Sequence, residues 1–234
     1  MRKGELQPVA WAAPQGQGVA ANEVVDRFHL LYTRRARQRT WRDTYWLGVP
    51  LFKCPLDLWV YQELMHRVRP DLIVETGTFH GGSAYFLASI CDLIGTGRVV
   101  TIDIEAPPLP PSGLSRPDHP RITYLTGPSI KPGILQEVRR MAEPGLAVMV
   151  ILDSNHSAGY VRKELDAYAP LVSEGSYLIV EDTNLNAWSD FGPGPLEAVT
   201  EFVAENDRFT IDRSPEKFMM TFNPSGYLLR RDGP

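Results

Sequence analysis

The chain has 234 residues, 43% of them hydrophobic and 22% charged, enough for one large soluble α/β domain with a short extension. Its net charge of −4 argues against a general nucleic-acid binder, and no apolar run approaches the ~20 residues that span a bilayer. Cys54 and Cys91 form neither a CxxC motif nor a disulfide framework, and the opening MRKGELQPVA lacks a signal peptide's apolar stretch, so a reducing, cytoplasmic setting is expected.

Residues 1–21 are rich in Ala, Gly, Gln and Pro and predict no regular element. From Asn22 a helix is predicted, because Val24, Val25, Phe28, Leu31 and Tyr32 recur at helical spacing. It runs into Arg34, Arg35, Arg37 and Arg39. These arginines read either as a patch for an anionic partner or as a solvated helix end that complements the dipole, and the acidic total favours the second. The stretch TWRDTYWLGVPLFKCP, with Trp41, Tyr45, Trp46 and Phe52, predicts an irregular segment that packs over the core or covers a pocket. LDLWVYQELMHRVR then predicts a helix with Leu56, Trp59, Val60 and Leu64 on one face, stopped by Pro70.

From there strands and helices alternate. Strands are predicted at 72–75, 98–103, 122–125, 147–153 and 177–182, with helices over 83–94, near 131–141, over 160–172 and over 196–206. FTID (209–212) and GYLLRR (226–231) close the chain as a predicted antiparallel pair. This alternation implies a doubly wound, mostly parallel α/β sheet. The expected division is an extension with one helix over 1–40 and a single domain over 41–234. Three irregular stretches, 105–121, 183–195 and 213–225, are the candidates for lids or binding loops.

The chemistry gathers at strand ends. AVMVILD closes on Asp153 and YLIVED closes on Glu181 and Asp182. Ligands in open α/β sheets bind just past the strands' carboxyl ends. Three carboxylates from two such ends repel one another unless a cation lies between them, and an oxygen-rich site suits a hard ion such as Mg²⁺. The bland alternative is that these acids cap the next helices. His156 follows Asp153 by three residues, whereas His29, His66, His80 and His119 are read as structural.

The first predicted strand ends in Glu75-Thr76-Gly77-Thr78, followed by Gly81, Gly82 and Ser83 at the mouth of a helix. Glycine lets the backbone approach a ligand, and the helix start offers free N–H groups. Neither GxGxxG nor GxxxxGK[ST] occurs. An acid at the head of the loop suits the cationic centres of S-adenosylmethionine (SAM), so Glu75, Thr76, Gly77, Thr78, Gly81 and Ser83 are candidate cofactor contacts. Asp103, ending the second strand, lies near the offset of a ribose-binding acid, or is a turn cap. Thr126, Gly127 and Ser129 could line an adenine pocket or form a plain turn. Asp153 borders the same end of the sheet and is counted with the cofactor contacts.

ETGTFHGGSAYF, VVTIDIE, ILDSNH, LIVEDT and TFNPSGYLLR together resemble the cephalosporin-hydroxylase and rhamnosyl O-methyltransferase family of class I SAM-dependent enzymes, over about residues 41–231. The resemblance implies a Rossmann-like, seven-stranded methyltransferase sheet with the last strand antiparallel. It also implies SAM as donor, Mg²⁺ at Asp153, Glu181 and Asp182, and a sugar hydroxyl as acceptor, often of a deoxysugar on a natural product. Catechol O-methyltransferases place a lysine base three residues after their first aspartate; here, as in sugar-modifying relatives, that offset holds His156, the candidate general base. Closure by a loop bearing Trp188 and Phe191 would exclude water. The family's other label suggests an oxidative hydroxylase, but nonheme iron oxygenases use two His and one carboxylate, a poorer match to three acids and one His. A non-catalytic SAM- or nucleotide-binding module is the remaining alternative. Relatives are often homo-oligomers, and helix 22–33 either serves such an interface or packs in cis.

Overall fold

The computed structural model describes residues 21–34, 40–104, 115–187 and 191–231. Most of the Arg34–Arg39 cluster, Trp188 and most of the 105–121 stretch fall outside them. Nine strands and six α-helices are present among the described residues: α1 (Ala21–Arg34), β1 (Tyr45–Trp46), β2 (Val49–Pro50), α2 (Pro55–Val68), β3 (Leu72–Thr76), α3 (Gly82–Ile94), β4 (Arg98–Asp103), β5 (Ile122–Thr126), α4 (Pro132–Met141), β6 (Val148–Leu152), α5 (Ala158–Tyr168), β7 (Tyr177–Val180), α6 (Pro195–Glu205), β8 (Phe209–Ile211) and β9 (Tyr227–Arg230). Among the described residues no helix is long and apolar enough to cross a membrane.

Seven strands form one sheet in the order β5-β4-β3-β6-β7-β9-β8. All are parallel except β9, which pairs antiparallel with both β7 and β8. The expected doubly wound sheet with its antiparallel last strand is therefore the observed fold. The strands are continuous Val/Ile/Leu runs because both faces of the sheet are covered. On one face Leu72, Val74, Val148, Val150, Leu152, Leu178 and Val180 pack against α4, α5 and α6. On the other, Ile73, Met149, Ile151, Tyr177 and Ile179 pack against α2 and α3.

The aromatic segment before α2 contains a hairpin that the sequence did not suggest. β1 and β2 flank Leu47 and Gly48, whose φ values of 47° and 86° are those of a tight primed turn. Trp46 fixes the hairpin to α3 by donating from Nε1 to Ser89 Oγ (3.0 Å) and meeting Phe86 edge-on. The chain order reverses between β3 and β6, the first sending its connection to β4 and the second to β7. That switch point opens the crevice that holds the candidate site.

Candidate active site

A cavity of about 650 Å³ opens at the carboxyl ends of β3, β4 and β6. Gly77 forms its floor. Its φ is +89°, and a Cβ there would lie 1.8 Å from the carbonyl oxygen of Asp153, so only glycine lets the β3 loop pass so close to the end of β6. Thr78, Ser83, Asp103, Ser129 and Asp153 also line the cavity. Asp103 Oδ2 accepts from the backbone N–H of Phe79 (2.7 Å) and faces Arg116 (3.4 Å), which also holds the Phe79 carbonyl. Ser129 Oγ donates to Glu164 Oε1 (2.6 Å).

Four of the expected contacts lie behind this wall. Glu75 and Thr76 are fully buried, and Gly81 abuts the Tyr124 ring instead of the cavity. Glu75 Oε2 accepts from Thr101 Oγ1 (2.7 Å), while its Oε1 is buried without a partner. Burial pushes the Glu75 carboxyl up to about 7, with Lys53 opposing the shift. Glu181, the fourth, is only 4% exposed. Of the expected adenine-side trio, Gly127 and Ser129 line the cavity and Thr126 does not.

The three acids at the ends of β6 and β7 do not act alike. Asp153, His156 and Asp182 bring one ligand atom each within 4.8 Å of one another. His156 Nε2 lies 3.4 Å from Asp182 Oδ2. Asp182 holds a φ of +56°, rare for a residue with a side chain, and its N–H is fixed by Asn223 Oδ1 (3.1 Å). Glu181 is engaged elsewhere: Lys53 Nζ stands 2.6 Å from its Oε1, and Tyr61 Oη donates to the same oxygen (2.8 Å). Lys53 also lies 2.5 Å from Asp153 Oδ2.

Electrostatics follow from that crowding. Burial raises the Asp153 and Asp182 carboxyls, opposed mainly by Lys53 and His156 respectively, and lifts Glu181 to about 7. Burial also works against the Lys53 ammonium, but the carboxylates of Asp153, Glu181 and Glu75 together outweigh it and hold it charged. Asp153 and Asp182 reach the cavity while Glu75 and Glu181 stay behind its wall, so those two carboxylates are the ones a ligand at this end can meet.

A sequence description of the family "Rhamnosyl O-methyltransferase/CmcI" matches residues 38–231. The rhamnosyl O-methyltransferase of Mycobacterium tuberculosis (strain H37Rv) is 34% identical over 218 residues, covering 90% of this chain and 86% of the relative. The chain belongs to the rhamnosyl O-methyltransferase/CmcI family. The Mycobacterium leprae member is 36% identical over 199 residues, covering 82% of this chain and 85% of its own length. Two CmcI structures share the fold: the apo form at TM-score 0.63 and 23% identity, and the form with Mg and SAM at 0.60 and 21%, each covering 97% of this chain and 89% of the other.

Several residues of this family member's site escaped the sequence reading. Lys53 lies in an aromatic stretch with nothing local to mark it as buried; the two acids it pairs with, Asp153 and Glu181, are 100 and more residues away. Tyr61 is buried on α2, and Glu164 on α5 is fully buried beneath Ser129 and Ser154, with no local sequence signal to mark either. His80, expected to be structural, lines the cavity with Phe52 and Phe79, and burial and Arg116 lower its pKa. The segment that could cover a pocket does so through Trp41, Phe52 and their neighbours, while Trp46 packs on α3.

Proposed function

We propose that the chain is a SAM-dependent, Mg²⁺-assisted O-methyltransferase acting on a hydroxyl of a sugar, of the deoxysugar or rhamnosyl kind, or of a similar polyhydroxylated natural product. One observation carries the reading: the Asp153, His156 and Asp182 side chains converge at the rim of the cavity that Gly77 and Asp103 line. The family relatives named for this reaction support it. The methyl-transfer domain would span 41–234, with 1–40 as an extension whose helix α1 rests on the domain where His29 stacks on Phe222 (5.7 Å).

The residues fit both absent groups. For SAM there is the glycine cradle at Gly77 and the acid Asp103 at the end of β4, both lining the cavity. When bound, SAM supplies an activated methyl group. For a divalent ion there are two converging carboxylates, Asp153 and Asp182, with one oxygen of each and a His156 nitrogen within 4.8 Å of one another. Such an ion stabilises negative charge developing on a hydroxyl oxygen. Glu181, the expected third ligand, has its Oε1 held by Lys53 and Tyr61, which leaves its Oε2 as the oxygen that would join them.

Chemistry by the protein's own groups is then limited and definite. With SAM bound, an imidazole nitrogen of His156 would accept the acceptor's hydroxyl proton as that oxygen takes up the methyl group. Asp182 stabilises the imidazolium that results, and the proton leaves to solvent. Gly77 and Asp103 fix the donor, and Trp41, Phe52 and Phe79 present an aromatic wall that excludes water and suits the apolar face of a sugar ring.

His156→Ala is expected to lower methyl transfer to a deoxysugar glycoside by roughly 10²–10⁴-fold while leaving the calorimetric affinity for S-adenosylhomocysteine near that of the wild type. Undiminished turnover of the variant would remove His156 from the reaction. Full wild-type activity in excess EDTA would remove the cation. Tight S-adenosylhomocysteine binding with no transfer across a glycoside panel would favour a binding module instead.

A further inference from the structure

Lysine is among the residues least often buried, and a buried charge persists only where it is paired. Lys53 has a 4% exposed side chain and two carboxylates within 2.6 Å. It enters the site from the segment between β2 and α2, immediately after Phe52, whose backbone is held at φ +56°. The segment is pinned on both sides. Leu51 N–H donates to Thr44 (2.9 Å), and Asp57 and Leu58 N–H groups donate back to Cys54 (3.0 and 3.3 Å). The backbone of Pro50 and Leu51 packs so tightly on α3 that a Cβ on Gly82 would lie 2.1 Å from the Pro50 carbonyl oxygen. Phe52, the residue before it, meets Trp41 and Phe79 in the cavity wall.

Asp153 is therefore shared. One of its neighbours is the fixed ammonium, which also holds Glu181; the other is the group formed with His156 and Asp182. We propose that Lys53 is a tethered counter-cation that competes with the divalent ion for Asp153 and Glu181, and so sets which carboxylates the ion reaches and how tightly it is held. This rests on the cation reading given above. A positive charge on two of the available acids weakens any second cation brought to the same oxygens, and its removal leaves those acids repelling each other until an ion replaces it.

The test uses the full chain, stripped with EDTA, dialysed and titrated with Mn²⁺, free ion being followed by electron paramagnetic resonance. Wild type is compared with Lys53→Met, which keeps most of the stem and removes the charge, and with Lys53→Arg, which keeps the charge. The Met variant is expected to bind Mn²⁺ roughly tenfold more tightly than wild type, or to bind it where wild type does not, and to gain more melting temperature from the ion. The Arg variant is expected to stay close to wild type. If the Met variant is unfolded without metal, its refolding on Mn²⁺ addition is expected, and failure to refold overturns the proposal. Equal or weaker Mn²⁺ affinity in a folded Met variant overturns the role of Lys53 and leaves the cation reading standing. Absence of Mn²⁺ binding in every variant overturns both.

Discussion

Glu181 shows how much of this site is decided by single side chains. Its Oε1 receives Lys53 and Tyr61, and Tyr61 Oη in turn accepts from Asn223 Nδ2 (3.0 Å). Tyr61 is 2% exposed, so its hydroxyl has no water to fall back on. Replacing it with Phe leaves Glu181 with one partner fewer and Asn223 with an unmet donor, at about 1–3 kcal/mol. Tyr61→Phe should lower stability to chemical denaturation by that amount while S-adenosylhomocysteine affinity changes little, because Tyr61 does not line the cavity. An unchanged midpoint would show that the hydroxyl carries no weight in holding the acid. At this scale the sequence was only half legible. Asp153, His156 and Asp182 stood out because acids and an imidazole ended apolar runs. Lys53 and Tyr61 did not, because their burial is created by partners a hundred or more residues distant.

Among the elements, the β3–α3 loop is the most constrained. Gly77 N–H donates to Ile102 (2.8 Å) while its Cα faces the Asp153 backbone. Gly145 has a similar φ of +91° but nothing within 4 Å of its would-be Cβ. Gly145→Ala should cost about 1–2 kcal/mol for the left-handed backbone alone. Gly77→Ala must also displace the end of β6, so a larger fall in melting temperature is expected, with loss of S-adenosylhomocysteine binding. Equal melting points for the two variants would contradict the close approach. The strands themselves were readable, since a buried parallel strand is a short unbroken apolar run, and their predicted and observed limits differ by two residues at most. Two things were not readable. The β1–β2 hairpin is too short to show alternation, and the insertion of β9 between β7 and β8 depends on pairing partners that lie far apart in the chain.

Across the molecule, buried acids give stability a direction with pH. Asp57 is 3% exposed and accepts from Thr221 Oγ1 (2.5 Å), Phe222 N–H (2.8 Å) and Tyr227 Oη (3.0 Å), tying α2 to the segment before β9. Burial nevertheless lifts its pKa from 3.8 to about 6. The folded state thus holds this proton more firmly than the unfolded chain. Its contribution is complete below 3.8 and is lost as pH rises through about 6, and Glu75 and Glu181, lifted to about 7, act with the same sign. Asp57→Asn should therefore flatten the fall in unfolding free energy across that window, measured by denaturant titration at several pH values. A slope equal to that of the wild type would refute it. The two-sided core has a further consequence. Residues along β3, β6 and β7 alternate between the two helical layers, and Glu75, Asp153 and Glu181 continue the series of Ile73, Ile151 and Ile179 towards α2 and α3. One residue inserted within β6 would turn Val150 and its neighbours to the opposite layer, and misfits of that kind in a close-packed core cost about 1–3 kcal/mol each. The same slip would carry the Asp153 carboxylate to the α5 side, away from its lysine. Such a frameshift in space would cost the core its fit and the site its parity together.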